Sequence, residues 1–326
     1  LSTLKNQFLL TDTSSGLFSG KHRLRRYLLI TCLLFSSTTG FAQQVFLPPS
    51  PVYQPDRLKT VVITEIATGV AISAGLYFLW YRKHPRSHFH FFNDNGEWLQ
   101  MDKAGHVVTA YYIGKVCITA YRWAGMENNK ASWRGAGIGF IYQLTIEMLD
   151  GFSPDWGFSV ADVACNLAGT GILLSQQLAW QEQRIVLKYS YHNSEYRKYR
   201  EALLGESFPE KALKDYNGQT YWLSMNLASL TGKRDFFPSW LNLAFGYGAD
   251  GMTGGSSNPD MVNGEPIPQF DRHRQYYASI DIDVTKIKTS WPLLNGFFKV
   301  FGFLKVPAPT VEFNQGGKTH FYFLYF

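Results

Sequence analysis

A chain of 326 residues is long enough to bury one large hydrophobic core or two smaller ones. Only 17% of its residues are charged while 16% are aromatic, which argues against an ordinary cytosolic surface and for contact with lipid or an envelope interface. The net charge of +6 is no nucleic-acid footprint: residues 1–42 hold +4 of it (Lys5, Lys21, Arg23, Arg25 and Arg26 against Asp12), leaving +2 for the rest.

The basic run from Lys21 to Arg26 is followed by YLLITCLLFSSTTGFA, an apolar stretch with a small-residue exit. It reads as a secretory signal over residues 1–42, with cleavage after Ala42 and Gln43 exposed. LITC at Leu29–Cys32 faintly resembles a lipoprotein cleavage box, but apolar residues continue past it. No Met precedes Met101, so the translation start is left open. Residues 43–57 form a Pro-rich linker.

A helical domain is expected over residues 58–183. Lys59–Trp80 is an apolar helix long enough to span a bilayer, yet it carries Glu65 and interleaved Thr and Ser. It is expected to be a core helix, or one lying against the membrane. The chain then breaks at Pro85. His84, His88 and His90 have no cysteine partners and are expected at an exposed or interfacial position rather than on a metal. Three more apolar helices are predicted at about Lys103–Trp123, Trp133–Leu149 and Val160–Gln181, with Gly135, Gly137 and Gly139 on one and Ala161, Ala164, Ala168, Gly169 and Gly171 on another allowing tight packing. Cys117 and Cys165 fall inside them and are read as buried free thiols.

After Gln183 the apolar period changes from 3.6 to 2, which predicts an antiparallel β domain over 184–326 with helical excursions. Alternation marks Ile185–His192, residues 220–230, Trp240–Ala249, Tyr276–Val284 and the closing HFYFLYF, about six strands in all. Leu223, Leu243 and Ile280 are expected to face lipid, as in an outer-membrane barrel wall. A Gly/Asn/Pro loop (250–271) and an amphipathic helix near Pro292–Leu304 interrupt them.

The rare charges of the helical domain sit at helical spacings: Asp102 with His106, Glu147 with Asp150, Asp162 with Asn166. Residues three or four apart share a helix face, so three polar faces on oily helices are expected to meet in one cluster. Each has a local explanation as well. Asp102 is placed to N-cap its helix, and Ser159 with Asp162 resembles a capping box. Glu147 and Asn166 lie inside apolar helices, where a charge needs a partner. The candidate catalytic residues are therefore His106, Glu147, Asp150 and Asp162, and the candidate binding residues are Asp102, Lys103 and Asn166. No metal is assigned to them, and the sequence identifies no cofactor.

Residues 102–169, about a fifth of the chain, resemble the YfiM-like family of bacterial periplasmic lipoproteins. More distantly, Asp102, Lys103 and His106, then Glu147, then Asp162, Asn166 and Gly169 resemble the pattern of VanZ-like membrane proteins, whose Gln after the Glu and Arg before the Asp are not matched. The resemblance implies an envelope location. The combined expectation is an α+β protein on the periplasmic side of a Gram-negative outer membrane. About four apolar helices are followed by an antiparallel β domain resembling a barrel wall. Its partners are expected to be the outer membrane or its lipids, or an envelope protein, and not nucleic acid. Binding or scaffolding of such a partner is the leading role. The alternative is a hydrolase or transferase on a lipid-linked or cell-wall substrate.

Overall fold

The computed structural model describes residues 47–79, 87–154 and 156–326. The leader, the first residues of the linker and His84 lie outside them.

The first helix, α1 (Pro55–Leu79), is not a core helix. Val61 packs against Cys117, Ala120, Tyr121 and Ala131, and Tyr121 Oη donates to Glu65 Oε2 at 2.7 Å. Most of its remaining apolar surface, including Ile63, Ile66 and Val70, is exposed. Residues Pro55–Gly75 are long and apolar enough to cross a membrane, and only 6% of that stretch is buried.

Helices α2 (Met101–Trp123), α3 (Asn128–Asp150) and α4 (Val160–Trp180) pack on one another. Small residues let their backbones meet. Gly135 and Gly139 press against α2 while Gly137 faces open space. At Gly169 a Cβ atom would stand 2.1 Å from the Val107 carbonyl oxygen, so only glycine allows that crossing. Both described cysteines are free thiols.

The C-terminal part is built on strands β1 (Ile185–Tyr191), β2 (Gln219–Asn226), β3 (Leu241–Asp250), β4 (Met261–Val262), β5 (Glu265–Pro266), β6 (His273–Ile282), β7 (Ala308–Asn314) and β8 (Thr319–Tyr325). Six of them form one antiparallel sheet in the order β1-β2-β3-β6-β7-β8, while β4 and β5 make a separate hairpin. The alternation expected to continue to residue 230 stops at Asn226. There the Asn226 side chain accepts from Ser229 N and starts a short helix, Leu227–Thr231. Likewise β6 ends before Val284, which lies in a 3-10 turn. The amphipathic helix expected after residue 291 is present as Pro292–Phe301.

The sheet does not close as a barrel. It curls, so that Tyr325 Oη of β8 reaches Thr220 Oγ1 of β2 at 3.0 Å and Tyr277 Oη at 2.9 Å, and β1 receives a parallel bridge from Leu304. Its concave side holds an aromatic cluster of Trp222, Tyr277 and Tyr325 and, beside it, polar residues. The concave side buries Lys188, Asp281, Ser224 and Asn242 in one network: Lys188 Nζ lies 2.7 Å from Asp281 Oδ2, Ser224 Oγ donates to that oxygen at 2.5 Å, and Asn242 Nδ2 donates to Ser224 at 2.8 Å. The other side exposes Leu223, Phe245, Tyr276, Ile280, Phe313 and Phe321, with Leu243 half-buried among them. Helix α2 covers this side at β1 and β2, where Leu187 joins Tyr111, Ile118 and Leu173 in one core.

Candidate functional site

Because α2 and α4 begin where α3 ends, their polar residues collect at one end of the helix layer. The entry into α2 is strained. Trp98, Leu99 and Gln100 are all left-handed, with φ of 47°, 49° and 64°, a conformation that costs a non-glycine residue roughly 1–2 kcal/mol. Contacts from the β part hold them there: Trp98 N donates to Gly255 O at 2.9 Å, Tyr247 Oη donates to Leu99 O, and Arg274 Nη2 donates to Gln100 Oε1 at 2.6 Å. Gln100 thus occupies the cap position with no side-chain cap bond, and Asp102 lies in the first turn rather than capping the helix. Ser159 does cap α4, accepting from Asp162 N at 3.1 Å. The Asp162 carboxylate is left to turn toward α2.

The predicted cluster converges around His106. Nδ1 lies 3.1 Å from Asn166 Oδ1 and 3.6 Å from Glu147 Oε1, while Nε2 lies 3.6 Å from Asp162 Oδ1 and 3.8 Å from Asp102 Oδ1. Asn166 Oδ1 also accepts from Gln143 Nε2 at 3.2 Å. An amide oxygen only accepts, so Nδ1 is the donor in the bond to Asn166, and Nε2 is the nitrogen that faces Asp102 and Asp162. His106 and Asp102 retain some solvent exposure, whereas Glu147, Asp162 and Asn166 are buried.

Lys103 is the second centre. Its Nζ lies 2.7 Å from Asp94 Oδ2, 2.7 Å from Asp162 Oδ1 and 3.2 Å from Asp102 Oδ2. Burial works against its charge, but Asp102, Asp162 and Asp94 outweigh that and hold its pKa above the ordinary lysine value. Asp94 is held below the usual carboxylate range, because Lys103, Asp162 and Ser159 together overcome its burial. Two carboxyls go the other way. Burial, reinforced by Asp162 and Asp150, pushes Glu147 up to about 8. Burial also raises Asp162 to about 6, with Asp102 adding and His106 and Lys103 opposing. The pair are therefore held apart in acidity while facing one imidazole. Asp102 Oδ1, His106 and Asp162 stand close enough together for a cation, since their ligand atoms all lie within 4.8 Å. The ammonium of Lys103 already stands against Asp162 Oδ1 in that group.

Asp150, the last residue of α3, is half-buried and bears on the site through its charge on Glu147. The sequence reading missed Asp94, Gln143 and Tyr216. Tyr216 Oη donates to Asp102 Oδ1 at 2.9 Å, and Ser159 Oγ donates to Asp94 Oδ1 at 2.7 Å. Asp94 and Tyr216 lie outside the regular α-helices and strands, where no periodicity could flag them. Gln143 had a signal, four residues before Glu147 on the same buried face of α3. His88 is exposed and His90 half-buried, each at the surface as expected.

Residues 90–176, about a quarter of the chain, match the profile of a family described as "Predicted periplasmic lipoprotein (DUF2279)". The match supports an exported, periplasmic, envelope-associated protein; it carries neither the YfiM-like nor the VanZ-like likeness. It begins at residue 90 and so does not bear on Cys32. No curated protein and no solved structure matches the chain.

Proposed function

We propose that this chain is an envelope enzyme, a hydrolase or transferase acting on a lipid-linked or cell-wall substrate at the outer membrane, with His106 as general base. One observation carries the reading. A half-buried imidazole, its Nδ1 bonded to Asn166 Oδ1, stands between carboxyls whose acidities are held apart at about 8 and about 6. Here Asp94, Asp102, Glu147 and Asp162 surround one ammonium and one imidazole, and strained backbone is spent on holding them.

In this reading His106 Nε2 takes the proton of an attacking water or acceptor hydroxyl. That oxygen forms the new bond to the acyl or phosphoryl centre. The leaving oxygen then receives the same proton as its bond breaks. Asp102 and Asp162 stabilise the transient imidazolium, and protonated Glu147 behind Nδ1 limits the negative charge that the cluster must hold. The exposed apolar side of the sheet and the exposed apolar length of α1 support a membrane as the neighbour.

Binding or scaffolding of an envelope partner is the second reading. It is favoured by Lys103, whose bonds to Asp94, Asp102 and Asp162 tie the helix ends together as a purely structural network would. The test is turnover. Detergent-solubilised protein is incubated with an envelope extract of lipids and lipid-linked saccharides, and products are followed by mass spectrometry. The wild type is expected to convert a component, and His106→Gln to lose that conversion by about a hundredfold or more while melting normally. An unchanged extract, or full turnover by the folded variant, refutes the enzyme and leaves the scaffold.

A further inference from the structure

An aromatic lip borders the site. The extended segment from Ser87 to Phe92 runs beside the α3–α4 connection, with Ser87 N bonded to Phe152 O, His90 N to Gly151 O, and Phe92 N and Phe158 O joined at 3.0 Å. Phe89 lies edge-on to Phe91 and Phe152, with ring centroids 5.6 and 5.3 Å away, and Phe91 is edge-on to Phe158 at 5.4 Å. The approach depends on Gly151, where a Cβ would fall 2.4 Å from the Phe89 ring. These rings are not a core. Phe91 is 68% exposed, Phe152 46%, and Phe92 and Trp156 are exposed beside them. Each side of the lip leads within a few residues into the site: Phe92 to Asp94, and Phe158 to Ser159 and Asp162.

We infer that this lip sits in the interface of the envelope bilayer, so that the site takes an amphiphilic substrate directly from the membrane, its polar head at His106 and its chain along the phenylalanines. The inference rests on the acid–base reading of the site for the word substrate, and on separate observations for the membrane. Helix α1 starts at the far end of α2, where Gln54 N bonds Ala124 O and Arg57 bonds Trp123 O. The chain is next described at Ser87, already at the site end. In the sequence, α1 lies between these two ends, and it is the helix whose length and composition suit a membrane and most of whose surface is left uncovered. In the sequence, Arg82, Lys83 and Arg86 stand between that helix and the lip, the charge that anionic headgroups attract. Exposed aromatic rings at such a boundary are the side chains that favour the headgroup level. A protein partner would leave the apolar length of α1 uncovered; a bilayer covers both.

The test reads depth position by position. Nitroxide labels are placed at Phe91→Cys, Phe152→Cys and, as a control on an exposed side chain of the sheet's helical excursion, Lys198→Cys, in a full chain whose own cysteines are replaced (Cys32→Ser, Cys117→Ser and Cys165→Ala). The protein is reconstituted into phosphatidylethanolamine–phosphatidylglycerol vesicles. Labels at 91 and 152 are expected to lose relaxation by a water-soluble nickel complex and to gain it from oxygen, while the label at 198 shows the reverse. Nickel relaxation at both lip positions equal to that at 198 overturns the inference. Because depth is read without turnover, that result leaves the acid–base reading standing. Conversely, buried labels on a protein that converts nothing sustain the bilayer contact and refute the enzyme.

Discussion

Replacing Glu147 with glutamine removes one acid from the cluster with little change in side-chain size. The side chain is 2% exposed, and its carboxyl is moved from 4.5 to about 8 by burial and by Asp162 and Asp150. An unfolded chain ionises this group near 4.5 while the folded chain keeps the proton until about 8. Between those values the folded state holds more protons, so raising the pH lowers stability. The contribution is fully present below about 4.5 and lost by the time the pH passes 8. At about 1.4 kcal/mol per pH unit the loss amounts to about 5 kcal/mol at most. An amide at this position cannot ionise, so Glu147→Gln is expected to match the wild type near pH 4.5 and to exceed it by several kcal/mol at pH 9. Urea unfolding of the purified protein across that range measures the difference. Parallel pH–stability curves for the two proteins would refute the argument, showing that Glu147 is solvated or paired rather than desolvated.

Two further substitutions test the frame around the site. Gly169→Ala places a Cβ 2.1 Å from the Val107 carbonyl and is expected to cost about 1–3 kcal/mol, read as a lower unfolding midpoint; an unchanged midpoint means α2 and α4 do not cross so closely. Lys188→Met strands Asp281, leaving it Ser224 and, at 3.8 Å, Lys305. It is expected to destabilise by about 3–5 kcal/mol, with Asp281→Asn in the same chain recovering part of the loss; no recovery would mean the two charges do not share the sheet interior.

The helices were legible because their apolar residues recur at 3.6 and their small residues mark contact faces. The cluster was legible for the converse reason: Glu147, Asp162 and Asn166 are polar residues with no solvent-facing role on such helices, and all three are buried beside His106. Local rules misplaced Asp102, since the left-handed run from Trp98 to Gln100 is imposed by distant contacts and moves the helix start to Met101. The same rules overextended β2, because capping by Asn226 stops a strand whose alternation runs on. Helix α1 was the hardest to place. Burial depends on what packs beside a helix, and its composition suits a core and a bilayer equally well.

The family profile ends at residue 176, yet the site does not end there. Asp102 is oriented by Tyr216, and the strained turn before it is held by Gly255, Tyr247 and Arg274, all from the C-terminal part. Met101 packs with Ala249 and Met252 in the same small core. Without these contacts, Trp98, Leu99 and Gln100 lose their restraint from the C-terminal part, and ordinary backbone angles are favoured by roughly 1–2 kcal/mol each. Relaxation there would swing the first turn of α2, and with it Asp102 and Lys103, away from Asp162. The sheet is thus part of the site's construction. Its apolar side binds the helices at β1 and β2, while β3, β6 and the loop between them fix the backbone from which Asp102 and Lys103 project.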